Sequence, residues 1–307
     1  MSTPAPVYSD ACLPFSLEGR DIRGRIVRLD DTISKVLDTH KLPREISHEL
    51  GEVMVLAAML GSMLKYEGIL TVQIRGDRGV NFLVADFATA GEGSGVIRAY
   101  AQYDPDKWTA PEEDTLAVLM GDKGHMLITI DQGKFMDRYQ GIVALEGETL
   151  SEAAVEYFQS SEQLPSRVRI VCERGADGKW SGAAIMIQHL ARNTDLERIR
   201  TREDAEEAEH WQNACVLMDS VTDKELLDGS LSLQDLLFRL FHEGGVRVFD
   251  PVPMANGCRC SEDKLRQVLA NFSADDLKHM ADDDGLITMT CEFCKSEHRF
   301  ELKKLFN

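Results

Sequence analysis

The chain has 307 residues, of which 43% are hydrophobic, and this is enough for one large folded domain and a smaller second one. It contains 52 Asp and Glu against 34 Lys and Arg, which gives a formal net charge of −18. This charge opposes binding to nucleic-acid phosphates, which requires clusters of Lys and Arg. There is no basic and apolar signal segment and no apolar run near the 18 residues of a membrane helix, so no membrane partner is expected.

The first part of the chain predicts a strand followed by two helices. Residues 22–30 alternate as a strand does, and apolar residues then recur at helical spacing over 31–66, with a break at 41–43. The second helix, 44–65, is apolar on much of its circumference, which is typical of a helix buried inside a domain.

A series of short strands follows, separated by turn-rich stretches. The predicted strands are 69–75, 81–86, 96–103, 126–131, 140–145, 167–173 and 180–189, with a helix at 151–160. Short connections between most of them predict antiparallel pairing. The glycine cluster at 91–95 is interpreted as a hairpin turn, because no helix follows it as a nucleotide-binding loop would require. Residues 1–194 are therefore predicted to form an α+β domain of antiparallel sheets with packed helices.

Residues 195–250 are predicted to be a helical linker. The stretch 195–209 has seven acidic and three basic residues, as a helix between two domains often does. Two amphipathic segments follow, at 211–227 and 236–241, and their apolar stripes must pack on another surface. The N-terminal domain and a small C-terminal domain, 251–307, are the available surfaces.

The C-terminal domain contains a four-cysteine motif that predicts one Zn²⁺ ion. Four of the seven cysteines fall within 37 residues, as Cys258-x-Cys260 and Cys291-x-x-Cys294. Two short-spaced cysteine pairs are typical of a closed tetrahedral zinc site. A two-residue gap suits a tight turn, and a one-residue gap suits extended backbone, where residues i and i+2 point to the same side. His298 is an alternative ligand, but four thiols already complete the site.

The size of this domain suggests a redox switch. A unit of 57 residues gains little stability from its own core, so the metal is expected to supply most of it. Zinc joins two pairs thirty residues apart, and disulfides closed within each pair would replace that link with two small rings. Oxidation should therefore unfold the domain. Nearby cations would offset the thiolate charge and favour reaction with an oxidant; they are Arg259, Lys264, Lys295 and Arg299.

No enzyme is predicted, because the chain lacks a phosphate-binding loop, a His-Glu-x-x-His motif and a serine nucleophile elbow. Two alternatives remain open. A thiol–disulfide oxidoreductase using Cys291 and Cys294 would turn over disulfide substrates but leaves the other pair unexplained. A constitutive zinc-ribbon interaction module would keep its zinc after peroxide treatment. The odd cysteine count fits a reducing cytosol.

The chain resembles the redox-regulated 33 kDa heat-shock chaperone family of the bacterial cytosol. Both cysteine spacings match the zinc signature of that family. Further matching stretches lie at 139–143, 161–165, 182–188 and 240–249, so the resemblance covers nearly the whole chain. The remaining three cysteines fall outside the family's pattern and are given no role: Cys12, Cys172 and Cys215.

The resemblance implies an ATP-independent holdase of the cytoplasm that is inactive when it is reduced and bound to zinc. Oxidants would pair Cys258 with Cys260 and Cys291 with Cys294. Zinc would then leave, and the zinc domain and the linker would unfold. The oxidised form would be a homodimer that holds unfolding client proteins and later passes them to ATP-dependent foldase chaperones.

Overall fold

The computed structural model describes residues 9–91, 93–111, 115–133, 136–145, 147, 149–190 and 200–305, with the backbone alone for 200–205. The chain divides into two compact units, Met1–Asn256 and Gly257–Asn307. The start of the predicted linker, 195–199, lies outside the described residues. No described helix is both long and apolar enough to cross a membrane.

Eleven strands of the described chain share one sheet in the first unit. They are β1 (Asp10–Leu17), β2 (Ile22–Leu29), β3 (Ile69–Arg75), β4 (Val80–Thr89), β5 (Gly95–Tyr103), β6 (His125–Asp131), β7 (Tyr139–Ala144), β8 (Ser166–Arg174), β9 (Trp180–His189), β10 (Val246–Val248) and β11 (Val252–Asn256). The helices of this unit are α1 (Asp31–His40), α2 (Arg44–Gly61), α3 (Leu116–Met120), α4 (Leu150–Tyr157), α5 (Arg200–Asp219), α6 (Asp223–Leu227) and α7 (Leu233–Phe241). A π-helical turn, Phe158–Glu162, follows α4, and a 3₁₀ turn, His242–Gly244, follows α7.

The strand order is β7-β6-β3-β4-β5-β11-β1-β2-β9-β8, with β10 also paired to β1. Every neighbouring pair is antiparallel except β11 with β5. β11 therefore joins the two halves of the sheet. Residues 252–256 were predicted to lie in the C-terminal domain, but they belong to this sheet, where Met254 is buried and the strand has a partner on each side.

β1 has no counterpart among the predicted strands, because Pro14 interrupts its sequence. Proline lacks the N–H that a strand interior needs. Here the Pro14 carbonyl accepts a hydrogen bond from the Phe249 N–H at 2.9 Å, beside the end of β10. Because the N–H and C=O of a residue in an antiparallel strand face the same neighbour, the missing donor would face Phe249, just beyond the end of β10.

The larger core lies on one face of the sheet and is centred on α2. This helix is buried from Ser47 to Gly61 apart from its partly exposed His48, and it packs on β3, β4, β5 and β8. The prediction of a buried helix is confirmed, and its apolar circumference is explained by these contacts.

The opposite face of β1, β2 and β9 is covered by the helices that follow residue 200. Their apolar stripes pack on the inward side chains of the three strands; the buried helical residues include Ala214, Met218, Leu226, Leu237 and Phe241. Arg28 of β2 lies beneath them and has no exposed surface. Its Nε and Nη1 donate to the carbonyl oxygens of Leu226 at 2.9 Å and Leu231 at 2.8 Å.

The second unit is a two-stranded hairpin with short helices around it. Its elements are α8 (Glu262–Leu269), α9 (Ala274–Met280), β12 (Leu286–Thr290), β13 (Glu297–Glu301) and α10 (Leu302–Leu305). In its described residues, the buried core consists of Leu269, Leu277, Ile287 and Phe300. Four buried side chains are a small core, so this unit needs another source of stability.

Candidate metal centre

The first cysteine pair lies in the short segment without regular secondary structure between β11 and α8. Ser261 caps α8 by accepting a hydrogen bond from the Lys264 N–H, and this cap fixes where the helix begins. The Cys260 N–H lies 3.4 Å from the Cys258 sulfur. Both cysteines are half-buried.

The second pair lies in the turn of the β12–β13 hairpin. The Lys295 N–H donates to the Cys291 carbonyl at 2.8 Å, and the Cys291 N–H donates to the Ser296 carbonyl at 2.9 Å. Lys295 has a positive φ of 55°, a left-handed conformation that closes tight turns. This turn brings Cys291 and Cys294 to one side of the hairpin. The role of Ser296 was not predicted, because no spacing rule marks it.

The four sulfur atoms form one cluster. All four lie within 4.8 Å of one another. The Cys258 and Cys291 sulfurs are 3.6 Å apart, and the Cys260 and Cys294 sulfurs are 3.5 Å apart. A regular tetrahedron with metal–sulfur bonds of 2.3 Å has sulfurs about 3.8 Å apart. The cluster therefore fits a four-thiolate metal ion, and the donor set is the one that zinc prefers.

The thiols differ in how easily they ionise. Burial is the largest influence on Cys294 and opposes ionisation, but hydrogen bonds from Ser296 and from the other thiols outweigh it and lower its pKa to about 6. Burial raises the pKa of Cys260 and of Cys291, and the neighbouring thiols raise it further, although hydrogen bonds from the Cys294 and Phe293 backbone partly oppose this at Cys291. One cluster thus contains one readily ionised thiol beside less acidic ones.

The cations that were predicted to offset the thiolate charge have partners of their own. Lys295 pairs with Glu292 at 2.8 Å, and Arg299 pairs with Glu297 at 3.4 Å. The Lys264 ammonium donates to the Arg259 carbonyl at 3.0 Å. Lys264, Lys295 and Arg299 are therefore near the site in sequence, but each interacts with a nearby carboxylate or carbonyl oxygen.

Comparison with known proteins identifies the family. The family model described as Hsp33 protein matches residues 10–301. The chain belongs to the Hsp33 family. It is 38% identical over 302 residues to a 33 kDa chaperonin of Caulobacter vibrioides NA1000, covering 96% of each chain. It is 34% identical over 299 residues to that of Proteus mirabilis HI4320, covering 97% of this chain and 95% of the relative. The predicted family is confirmed, and the chain is an Hsp33-family chaperone.

The Hsp33 fold is also found by structural comparison. The crystal structure of the Hsp33 homologue of Thermotoga maritima superposes with a TM-score of 0.79, covering 96% of this chain and 97% of that chain. The sequence identity is 20%, so this structural similarity is used as evidence for the fold alone. The predicted α+β fold with a C-terminal cluster of four cysteines is confirmed.

The other candidate side chains of this Hsp33 member lie outside the cluster. His298 lies on β13 opposite Met289, and its buried Nε2 has no hydrogen-bond partner within the described structure. The close group formed by His, Cys, Asp and Glu side chains in the described residues contains only the four cysteines. His298 is therefore not placed as a ligand.

The three remaining cysteines are expected to react slowly. Burial raises the pKa of Cys12, Cys172 and Cys215, and the first two have no exposed surface. Because the thiolate is the nucleophile, a raised pKa moves their reactivity to higher pH. With a zinc chelator at pH 7 and no denaturant, we expect iodoacetamide to modify the other four cysteines first, because the second unit should unfold without its metal and its thiols then lose the burial that raises their pKa. Mass spectrometry of peptides measures this order, and early labelling of Cys12 would contradict it.

Proposed function

We propose that this Hsp33-family chaperone is a redox-regulated, ATP-independent holdase of the cytoplasm. The observation that supports it is the cluster of four sulfurs, which joins two cysteine pairs in a unit with only four buried core side chains in its described residues. In the reduced state the four thiolates hold one Zn²⁺, whose chemistry is to cross-link the two pairs. The reduced state does not suppress client aggregation.

Oxidation converts the thiolates to disulfides. Cys258 bonds to Cys260 and Cys291 bonds to Cys294, and each new bond gives two electrons to one peroxide molecule, which takes up two protons to become two waters. Neutral disulfide sulfurs no longer bind the cation. Because each disulfide closes only a small ring, the second unit loses its long-range link and unfolds.

The linker helices complete the mechanism. α5, α6 and α7 cover an apolar face of β1, β2 and β9. When they leave with the second unit, this face becomes available to unfolding client proteins, and the oxidised chain forms a homodimer. Reduction then returns the clients to ATP-dependent foldase chaperones. The net charge of −18 keeps a chain with exposed apolar surface soluble.

Light scattering of a heat-unfolding client protein tests this function. Peroxide-treated protein should suppress aggregation, and reduced zinc-loaded protein should not. Peptide mapping of the oxidised sample should find both local disulfides. The closest sulfurs in the structure belong to different pairs, Cys258 with Cys291 and Cys260 with Cys294. Disulfides between those pairs would preserve the long-range link and contradict the mechanism, as would suppression by neither sample.

A further inference from the structure

β7 is an end strand of the sheet with an open edge. In the described chain it pairs only with β6, over six residue pairs without a register shift. Alternate residues of an antiparallel strand bond to each neighbour. One set of β7 N–H and C=O groups therefore bonds to β6, and the other set points away from the sheet. Such an edge is a template for another extended chain.

β8, the strand at the opposite end of the sheet, differs from β7 because its outer edge is protected. The Ile170 N–H of β8 donates to the Ser151 hydroxyl at 2.9 Å. Two arginines of β8, Arg167 and Arg169, pair with Asp219 and Asp223. Charged side chains and covered N–H groups are the usual means of blocking an edge. β7 has the sequence Tyr-Gln-Gly-Ile-Val-Ala, with no charge and no proline.

The open strand is held extended from its buried side. The Tyr139 and Tyr157 hydroxyls both lie 3.1 Å from the same Glu162 oxygen, which ties β7 to the turn after α4. A Cβ on Gly141 would lie 2.5 Å from the Tyr157 ring, so glycine permits this close contact. On its other face β7 presents Ile142, which is 60% exposed and opposite Leu127 of β6. The edge is thus anchored on one face, carries no charged side chain, and is bordered on the other face by the exposed Ile142.

The length of β7 indicates what occupies it. Six residues span about 20 Å, and pairing two such strands would bury far less than the roughly 1,000 Å² expected of a stable specific interface. A transient extended segment suits this edge better than a permanent second copy. Backbone pairing is also largely independent of sequence, as recognition of many different clients requires.

We propose that the β7 edge binds extended apolar segments of unfolding polypeptides by strand addition. The identity of the occupant as a client rests on the proposed function. β7 and β6 belong to the first unit, so the edge is present in the reduced and the oxidised protein. It provides a weak first docking strand, whereas the apolar face under the linker helices becomes available only after oxidation.

Two matched peptides test the edge on the reduced wild-type protein. One is a capped ten-residue peptide of alternating valine and threonine with a lysine at each end. The other is the same peptide with N-methyl groups on alternate backbone nitrogens. It has the same side chains, but it lacks the N–H donors that would bond to the β7 edge. Losing about three backbone hydrogen bonds should weaken binding about tenfold or more. Amide exchange should show protection of alternate amides in 139–144 with the first peptide only.

Matched variants locate the binding surface. Ile142→Lys adds a charge beside the edge and should weaken binding of the pairing peptide, while Tyr66→Lys adds the same charge at a 69% exposed aromatic residue elsewhere and should not. Equal binding of both peptides, or protection outside β7, would overturn strand addition. Self-association of the free protein that Ile142→Lys abolishes would instead assign the edge to a second copy. Light scattering reports separately on the redox-gated holdase, so either idea can fail alone.

Discussion

Removal of zinc from the reduced protein should unfold residues 257–307 and leave the eleven-stranded sheet folded. Structural zinc sites contribute about 10–16 kcal/mol of apparent folding free energy. The described residues of this unit bury only Leu269, Leu277, Ile287 and Phe300 as an apolar core. A core of that size does not offset the conformational entropy of about fifty ordered residues. Amide hydrogen exchange after chelation should therefore show loss of protection in β12 and retained protection in α2.

Single cysteine variants separate the metal's contribution from that of the thiols. Cys291→Ser removes one sulfur of the cluster and should reproduce the chelated state without a chelator. Cys215→Ser is the control, since Cys215 lies on α5 in the first unit. It should leave exchange in β12 unchanged. A second unit that stays protected in the Cys291 variant would show that its own packing is sufficient.

Replacement of Arg28 by methionine should release the helices that cover β2. Arg28 is fully buried, and burial lowers its pKa, with Asp30 and Asp228 acting in the opposite direction. Methionine has a similar length but leaves the Leu226 and Leu231 carbonyls without their donor. Each unpaired buried group costs about 1–3 kcal/mol, so the loss for the two carbonyls should be on the order of 2–6 kcal/mol.

Arg167→Gln is a matched control for Arg28. It also removes one guanidinium that links the sheet to a helix, because Arg167 pairs with Asp219 at 2.8 Å. Both partners are about half exposed, and an exposed pair contributes about 0–1 kcal/mol. Urea unfolding and amide exchange in α7 measure the difference. Equal destabilisation by the two variants would exclude a special role for the buried guanidinium.

Local patterns predicted those parts of the molecule that depend on neighbouring residues. The strands at 69–75 and 180–189 were predicted at their observed bounds. Burial alternates along the first, and the second is a short run that is buried on both faces. The four cysteines were predicted from two short spacings. Pairings between strands that are far apart in the chain leave no local pattern in the sequence by which they could be predicted. β11 has only five residues, includes Pro253, and finds its partners in β1 and β5.

Arg28 shows a second limit of sequence reasoning. In sequence it is one of three arginines in a strand, and alternation places it on an apolar face without explaining how its charge is tolerated there. Its partners are main-chain carbonyls about 200 residues away. Every residue type carries such a carbonyl, so no side chain marks the position.

The place of β11 in the sheet has a consequence for biosynthesis. β11 bridges β1 and β5, and its Pro253 lies opposite Ala11, roughly 240 residues earlier in the chain. At about 5–20 residues per second, a ribosome needs about 10 to 50 seconds to make that intervening chain. The edge of β1 that pairs with β11 has no β11 partner for that time. β11 is the strand that closes the sheet, and it is followed after one residue by Cys258. The ribosome therefore makes the first cysteine pair directly after the strand that completes the sheet.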